Sequence, residues 1–158
     1  MKNIKLLNSI TASLAFVSML AAPKTGHAVT TAQATTIMST ATGLIGTPYL
    51  LGGKDPTKGG IDCSGLTKWS YKKAGITIPD GAANQYAACN MCVLTKTKAA
   101  LLFFATDASK PGAVTHVTLN SGDGINSVGA NSSGVVKFNF TTSYWAPKLI
   151  ACEMSSRW

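Results

Sequence analysis

Two residues in this sequence are suited to nucleophilic chemistry if the fold brings them together. They are Cys63, in GGIDCSGLTKWSYKKAG over residues 59–75, and His116, in VTHVTLNSGDG. A cysteine attacks as its thiolate, so it needs a group that takes its proton and later returns one to the leaving group. Imidazole titrates closest to neutral pH, and His116 is the one histidine that follows residue 28. Taken singly, each residue has a plainer reading: a buried cysteine or half of a disulfide, and a satisfied strand histidine.

The elements around Cys63 favour the chemical reading. Gly59 and Gly60 allow a tight turn, Asp62 is a good N-cap, and Leu66, Trp69, Lys73 and Ala74 follow at the spacing of one helical face. Lys72 and Lys73 complement the far end of the helix dipole, with Gly75 just past it. The spacing predicts a helix from about Cys63 to Ala74. Cys63 then sits in its first turn, where unpaired backbone N–H groups favour thiolate over thiol.

At 158 residues with no visible internal repeat, the chain has the size of one domain. With 46% hydrophobic and 13% charged residues, it reads as globular rather than disordered. Residues 1–28 carry an early positive charge at Lys2 and Lys5, an apolar run from Ile10 to Leu20, and Gly26-His27-Ala28 as a small-x-small site. This pattern predicts a cleaved export signal, with residues 29–158 as a single domain outside the cytoplasm, secreted or periplasmic. Cleavage would remove Lys2, Lys5 and Lys24 and lower the formal charge from +8 to +5, with no stable membrane insertion afterwards.

Further on, Ile37, Ala41, Leu44 and Ile45 mark a helical face within residues 30–45, and a short helix is expected over Ala82 to Ala88. Strands are expected over 99–104, 113–120, 125–128, 135–140 and 149–154, separated by Gly-, Asn- and Ser-rich turns. Helices followed by an antiparallel sheet make an α+β class.

Cys89, Cys92 and Cys152 remain once Cys63 is set aside. Three thiols do not complete a four-ligand zinc site, so neither metal nor cofactor is expected. Cys89 and Cys92 lack the βαβ setting of a redox pair. In an oxidising compartment one disulfide is expected, either between Cys89 and Cys92 or from one of them to Cys152. The basic balance suits an anionic polymer. Nucleic acid is not expected, because Arg157 is the only arginine and no nucleic-acid motif is present.

Between Gly46 and Tyr86 the strings GTPYLLGG, DCSGL, AGITIP and QY occur in order. In that order and at these spacings they resemble the NlpC-type family of cell-wall cysteine peptidases, and a weaker similarity continues to about Asn126. The resemblance implies a papain-like arrangement, with the helix bearing Cys63 packed on an antiparallel sheet and His116 as base. It assigns Asn126, with Ser127 as substitute, to the acceptor that orients the imidazole. Tyr49, Asp62 and Ser64 match positions that line the cleft and hold the free amine of the substrate; for Asp62 a role as N-cap alone stays open beside this one, and the two can coexist. For the oxyanion, the backbone N–H of Cys63 at the helix start is the expected donor.

Several positions depart from the family pattern. Leu51 stands for a tryptophan, Asp80 for an arginine and Thr118 for a glycine, residues 89–98 read as a loop or insertion, and the strand AALLFF lacks a preceding Gly-Asp pair. The activity implied is hydrolysis of an amide bond in peptidoglycan stem peptides, between D-Glu and the diamino acid, by a monomer acting through a Cys–His mechanism. Two other readings stay open: an amidase that cuts between the sugar and the first alanine, and a wall-binding module without catalysis.

Overall fold

The computed structural model describes residues 29–88 and 97–152. The expected export segment, Cys89 and Cys92 lie outside these residues, and so does the expected disulfide. The chain begins with α1 (Thr31–Gly43), followed by a small ribbon of β1 (Lys54–Asp55) and β2 (Gly60–Ile61). Then come α2 (Cys63–Lys73) and α3 (Ala82–Ala88). The second half is a sheet of β3 (Leu101–Phe104), β4 (His116–Asn120), β5 (Asn126–Asn131), β6 (Gly134–Asn139) and β7 (Leu149–Cys152), with a 3-10 turn, Ala146–Lys148, before the last strand. The five strands run in the order β6-β5-β4-β3-β7, every pairing antiparallel. This is the expected α+β class. Among the described residues no helix is long and apolar enough to cross a membrane.

A Thr-rich segment is a poor helix former, and α1 persists through local bonding and docking. Thr30 and Gln33 form a reciprocal capping box, and the hydroxyls of Thr35, Thr36 and Thr42 turn back onto carbonyls of the preceding turn. Ala34, Ile37, Met38 and Ala41 are its buried face, whereas Ile45, expected on that face, is exposed past the helix end.

In α2 the buried residues are concentrated in the first turns: Cys63, Ser64, Gly65, Leu66 and Thr67, then Ser70 and Tyr71. The expected stripe through Lys73 is not the packed one. Lys73 is exposed, and its Nζ lies 4.8 Å from the centre of the Trp69 ring. Tyr71, fully buried, donates its hydroxyl hydrogen to the Ala99 carbonyl at 2.9 Å, which ties α2 to the start of the sheet. Gly65 is needed for close approach: a Cβ there would run into the Gly53 carbonyl, the group that also accepts the Asp62 N–H at 3.0 Å.

Alternation along β3 serves two layers. Leu101 and Phe103 pack with Ile37, Leu66, Val117, Leu119 and Val128 between helices and sheet. Leu102 and Phe104 pack on the other face with Phe140, Phe138, Trp145 and Leu149. α2 lies against β4 and β5, and α3 against α2 and β4. Cys63 and His116 therefore reach the same end of the sheet from opposite layers.

Candidate active site

Asp62 sets the start of α2. Its Oδ1 accepts the Gly65 N–H at 2.6 Å and the Ser64 hydroxyl at 2.9 Å, and its Oδ2 accepts the Gly52 N–H at 3.0 Å. One carboxylate thus caps the helix and clasps the glycine-rich loop before it. From α3, fully buried Gln85 braces the same turn. Its Nε2 donates to the carbonyls of Ser64, at 3.1 Å, and Pro79, at 3.0 Å, and its Oε1 accepts the Thr67 hydroxyl at 2.8 Å. The glutamine of the QY string is an internal strut for the turn that carries Cys63.

Cys63 has a free thiol and is 8% exposed. Backbone N–H groups of Val117, Ser64 and Cys63 itself face the sulfur and pull its pKa down, but burial outweighs them and pushes the thiol up. This corrects the expectation from the helix terminus alone. His116, 7% exposed, is held by burial well below the ordinary imidazole value, at about 4. Burial thus works against the charged form of each group, the thiolate and the imidazolium alike.

Both side chains line one cavity of about 410 Å³. Tyr49 enters from the segment before β1, held there by a parallel bridge to Ile61. Thr106 and Thr115 come from the β3–β4 connection, where the Thr115 hydroxyl oxygen accepts the Thr106 N–H at 2.9 Å. Ala130, Asn131 and Ser132 come from the end of β5, and Tyr144 and Trp145 from the segment after β6. Burial and the nearby Cys63 and Asp62 raise the Tyr49 hydroxyl pKa, so it stays protonated and able to donate a hydrogen bond.

Of the residues expected in the cleft, Tyr49, Cys63 and His116 share it. Asp62 and Ser64 do not line this cavity; they stand behind Cys63, bonded to each other. Asp80 is set apart on the surface, with its carboxylate 3.1 Å from Lys54 and 2.7 Å from Lys68.

Asn126 is not brought to His116. Asn120 pairs with Ser127, and Ser121 donates its N–H to the Asn126 carbonyl, so Asn126 closes the turn between β4 and β5. Its side chain donates to Asp123 at 2.7 Å. His116 starts β4 and Ser121 just follows its end, which leaves about 16 Å of strand between His116 and that turn. The substitute Ser127 fails too: its hydroxyl is buried without a partner. Among the described residues no acceptor reaches Nε2 of His116, which is buried and unpartnered.

Aromatic rings occupy the space instead. Trp145 stacks on the imidazole with ring centres 5.6 Å apart and planes at 27°, and Phe104 tilts against it at 6.1 Å. Tyr144 and Trp145 are site residues that the sequence reading passed over, because TTSYWAPK shows no periodicity and no chemical motif. Among the described residues no group of three His, Cys, Asp or Glu side chains is placed to hold a metal ion. The arrangement is a thiol and an imidazole at the end of a sheet, with a tyrosine donor and a polar rim.

Residues 46–154 match the sequence profile of the NlpC/P60 family. Among curated proteins, the chain is 35% identical over 116 residues to the bifunctional muramidase/DL-endopeptidase CwlT of Bacillus subtilis, covering 73% of this chain and 35% of that protein. It is 39% identical over 100 residues to the gamma-D-glutamyl-L-lysine dipeptidyl-peptidase of Bacillus cereus, covering 61% of this chain and 28% of that protein. It thus spans about a third of the length of such relatives. Among solved structures, an NLP/P60-family protein of Staphylococcus aureus superposes with a TM-score of 0.72 at 30% identity, over 83% of this chain and 44% of that one. The NlpC/p60 domain of the peptidoglycan hydrolase SagA superposes at 0.58, also at 30% identity, over 70% of this chain and 92% of that one.

Proposed function

The chain belongs to the NlpC/P60 family, and from that premise we propose that it is a cysteine peptidase that hydrolyses an amide bond in peptidoglycan stem peptides. The observation that carries the reading is the free Cys63 at the start of α2, sharing one cavity with His116. Cys63 is the nucleophile and His116 the base and acid. As Sγ bonds to the scissile carbonyl carbon, the thiol proton passes to the imidazole. The carbonyl oxygen takes up the negative charge, facing the N–H at the start of α2. The imidazolium then protonates the amide nitrogen, the C–N bond breaks and a thioester remains. Water attacks it with His116 again taking a proton, which releases the carboxylate and restores the thiol. A neutral resting pair fits this sequence, because the proton moves only as the C–S bond forms.

The bond we assign lies between D-Glu and the diamino acid, in stem peptides whose L-Ala amine is free. DL-endopeptidase and gamma-D-glutamyl activities in the names of similar proteins support this, as do Tyr49 in the cavity and the negative charge of Asp62 close behind it. The site of action is the wall outside the cytoplasm, in keeping with the leader-like pattern of residues 1–28. Paired assays on free and sugar-linked stem peptides test the assignment. The free form should be cut faster, at the D-Glu bond. Faster cutting of the sugar-linked form, with release of a lactyl sugar, would replace it with the amidase reading.

A further inference from the structure

Among the described residues no hydrogen-bond partner reaches Nε2 of the His116 imidazole, and an indole lies against its ring instead. We propose that Trp145 is the positioning partner of His116: its stacked face fixes the plane of the imidazole and stabilises the imidazolium formed when the Cys63 proton is taken. The inference rests on the hydrolase reading above for its kinetic consequence, though not for its electrostatic one.

The geometry supports both halves. A neutral imidazole without a partner on Nε2 is free to turn about its side-chain bonds unless packing stops it, and here Trp145 covers one face with planes 27° apart. Trp145 is itself immobilised by Phe138 at 4.6 Å, Tyr144 at 5.1 Å and Phe104 at 5.3 Å between ring centres. Its backbone is bound on both sides: its own N–H donates to the Thr142 hydroxyl at 3.5 Å, and its carbonyl accepts the Lys148 N–H at 3.0 Å. Lys148 also clamps the segment, with its Nζ donating to the Tyr144 carbonyl at 2.7 Å and lying 3.4 Å over the Tyr144 ring.

The charge argument runs the same way. Taking the thiol proton creates a cation in an enclosed site where burial opposes it. The π face of an aromatic ring is negative, tryptophan's is the strongest of the natural rings, and a desolvated cation over it gains more than an exposed one. The other titratable or charged groups around His116 are Cys63 from α2 with Asp62 behind it, Tyr49 from the segment before β1, Tyr144 beside Trp145, and Lys148 over the Tyr144 ring. The sulfur of Cys63 gives up its charge as the C–S bond forms, and Asp62 stands behind Cys63, so the indole is the group in direct contact with the ring that is suited to offset the imidazolium.

Site-specific replacement of Trp145 by mono-, di- and trifluorotryptophan tests this, since fluorination weakens the π face while nearly preserving shape. On a soluble stem peptide, kcat should fall stepwise, by about five- to thirtyfold across the series, with KM unchanged. In the same proteins, NMR titration of the His116 ring should show its midpoint falling as fluorines are added. If Trp145→Leu loses activity while the fluorinated series leaves both kcat and the midpoint unmoved, the indole acts only as packing and the proposal is overturned. If the native protein cuts no stem peptide, the hydrolase reading falls, and the titration still decides the role of Trp145.

Discussion

The backbone N–H of Val117 lies close enough to the sulfur of Cys63 to favour its thiolate, so the strand that presents the imidazole also acts on the thiol. Because His116 immediately precedes Val117, a shift of α2 along β4 would disturb nucleophile and base together. Cys63→Ala removes the sulfur and little volume, so the variant should keep its fold and lose stem-peptide hydrolysis by at least about a thousandfold. Circular dichroism and turnover of a soluble stem peptide check the two halves.

Burial holds the Cys63 thiol above its ordinary pKa and the His116 imidazole at about 4. Alkylation of Cys63 by iodoacetamide in the free enzyme should therefore be slow near pH 7 and rise as pH climbs beyond the usual thiol range. The acid limb of kcat/KM should follow His116, leaving activity largely intact down to about pH 5. An alkylation rate already at its plateau below pH 7 would mean a thiolate–imidazolium pair at rest, as the helix terminus alone suggested.

His116 also makes folding pH-dependent. The unfolded imidazole takes a proton as pH falls through 6.5, whereas the folded one stays neutral to about 4. Stability is therefore full above 6.5, declines between these values by about 3 kcal/mol, and loses nothing more from this residue below them. Asp55, Asp80, Asp107 and Asp123 all titrate below their ordinary 3.8, so their losses begin only near the lower end of that window and fall mostly below it. Urea unfolding from pH 7 to 4.5 should show the decline in the native chain and its absence in His116→Phe.

What could be read beforehand was local. A capping aspartate, paired glycines and a helical stretch mark α2, and those same residues carry the family strings that point to Cys63, His116 and Tyr49. Features decided by packing were out of reach. Whether Cys63 is thiol or thiolate depends on the sheet that covers it, which no helix-end rule contains. The family resemblance assigns Asn126 to the orienting acceptor, but the side-chain period in a strand is two, and position along a hairpin depends on where the turn closes, here between Ser121 and Asn126. Trp145 comes to His116 through a segment without periodicity, folded back over the second layer of the core.

Gln85 makes a sharper test of that layer of organisation than any surface residue. Gln85→Leu keeps the volume but leaves the Ser64 and Pro79 carbonyls and the Thr67 hydroxyl without their bonds to it. The expected cost is about 2–4 kcal/mol, with a loss of kcat because the turn bearing Cys63 is no longer braced. Chemical denaturation and single-turnover kinetics on the same preparation separate the two effects.

The central claim is that Cys63 and His116 together hydrolyse a stem-peptide amide, and fragment analysis of digested cell wall tests it most directly. Peptidoglycan whose stem peptides have first been released from the sugar, so that their L-Ala amines are free, is incubated with the native chain, Cys63→Ala and His116→Ala, and the soluble products are identified by mass spectrometry. The account predicts fragments ending at D-Glu, paired with fragments that begin at the diamino acid, from the native chain alone. The same fragments from Cys63→Ala, or none from a folded native chain, would contradict it.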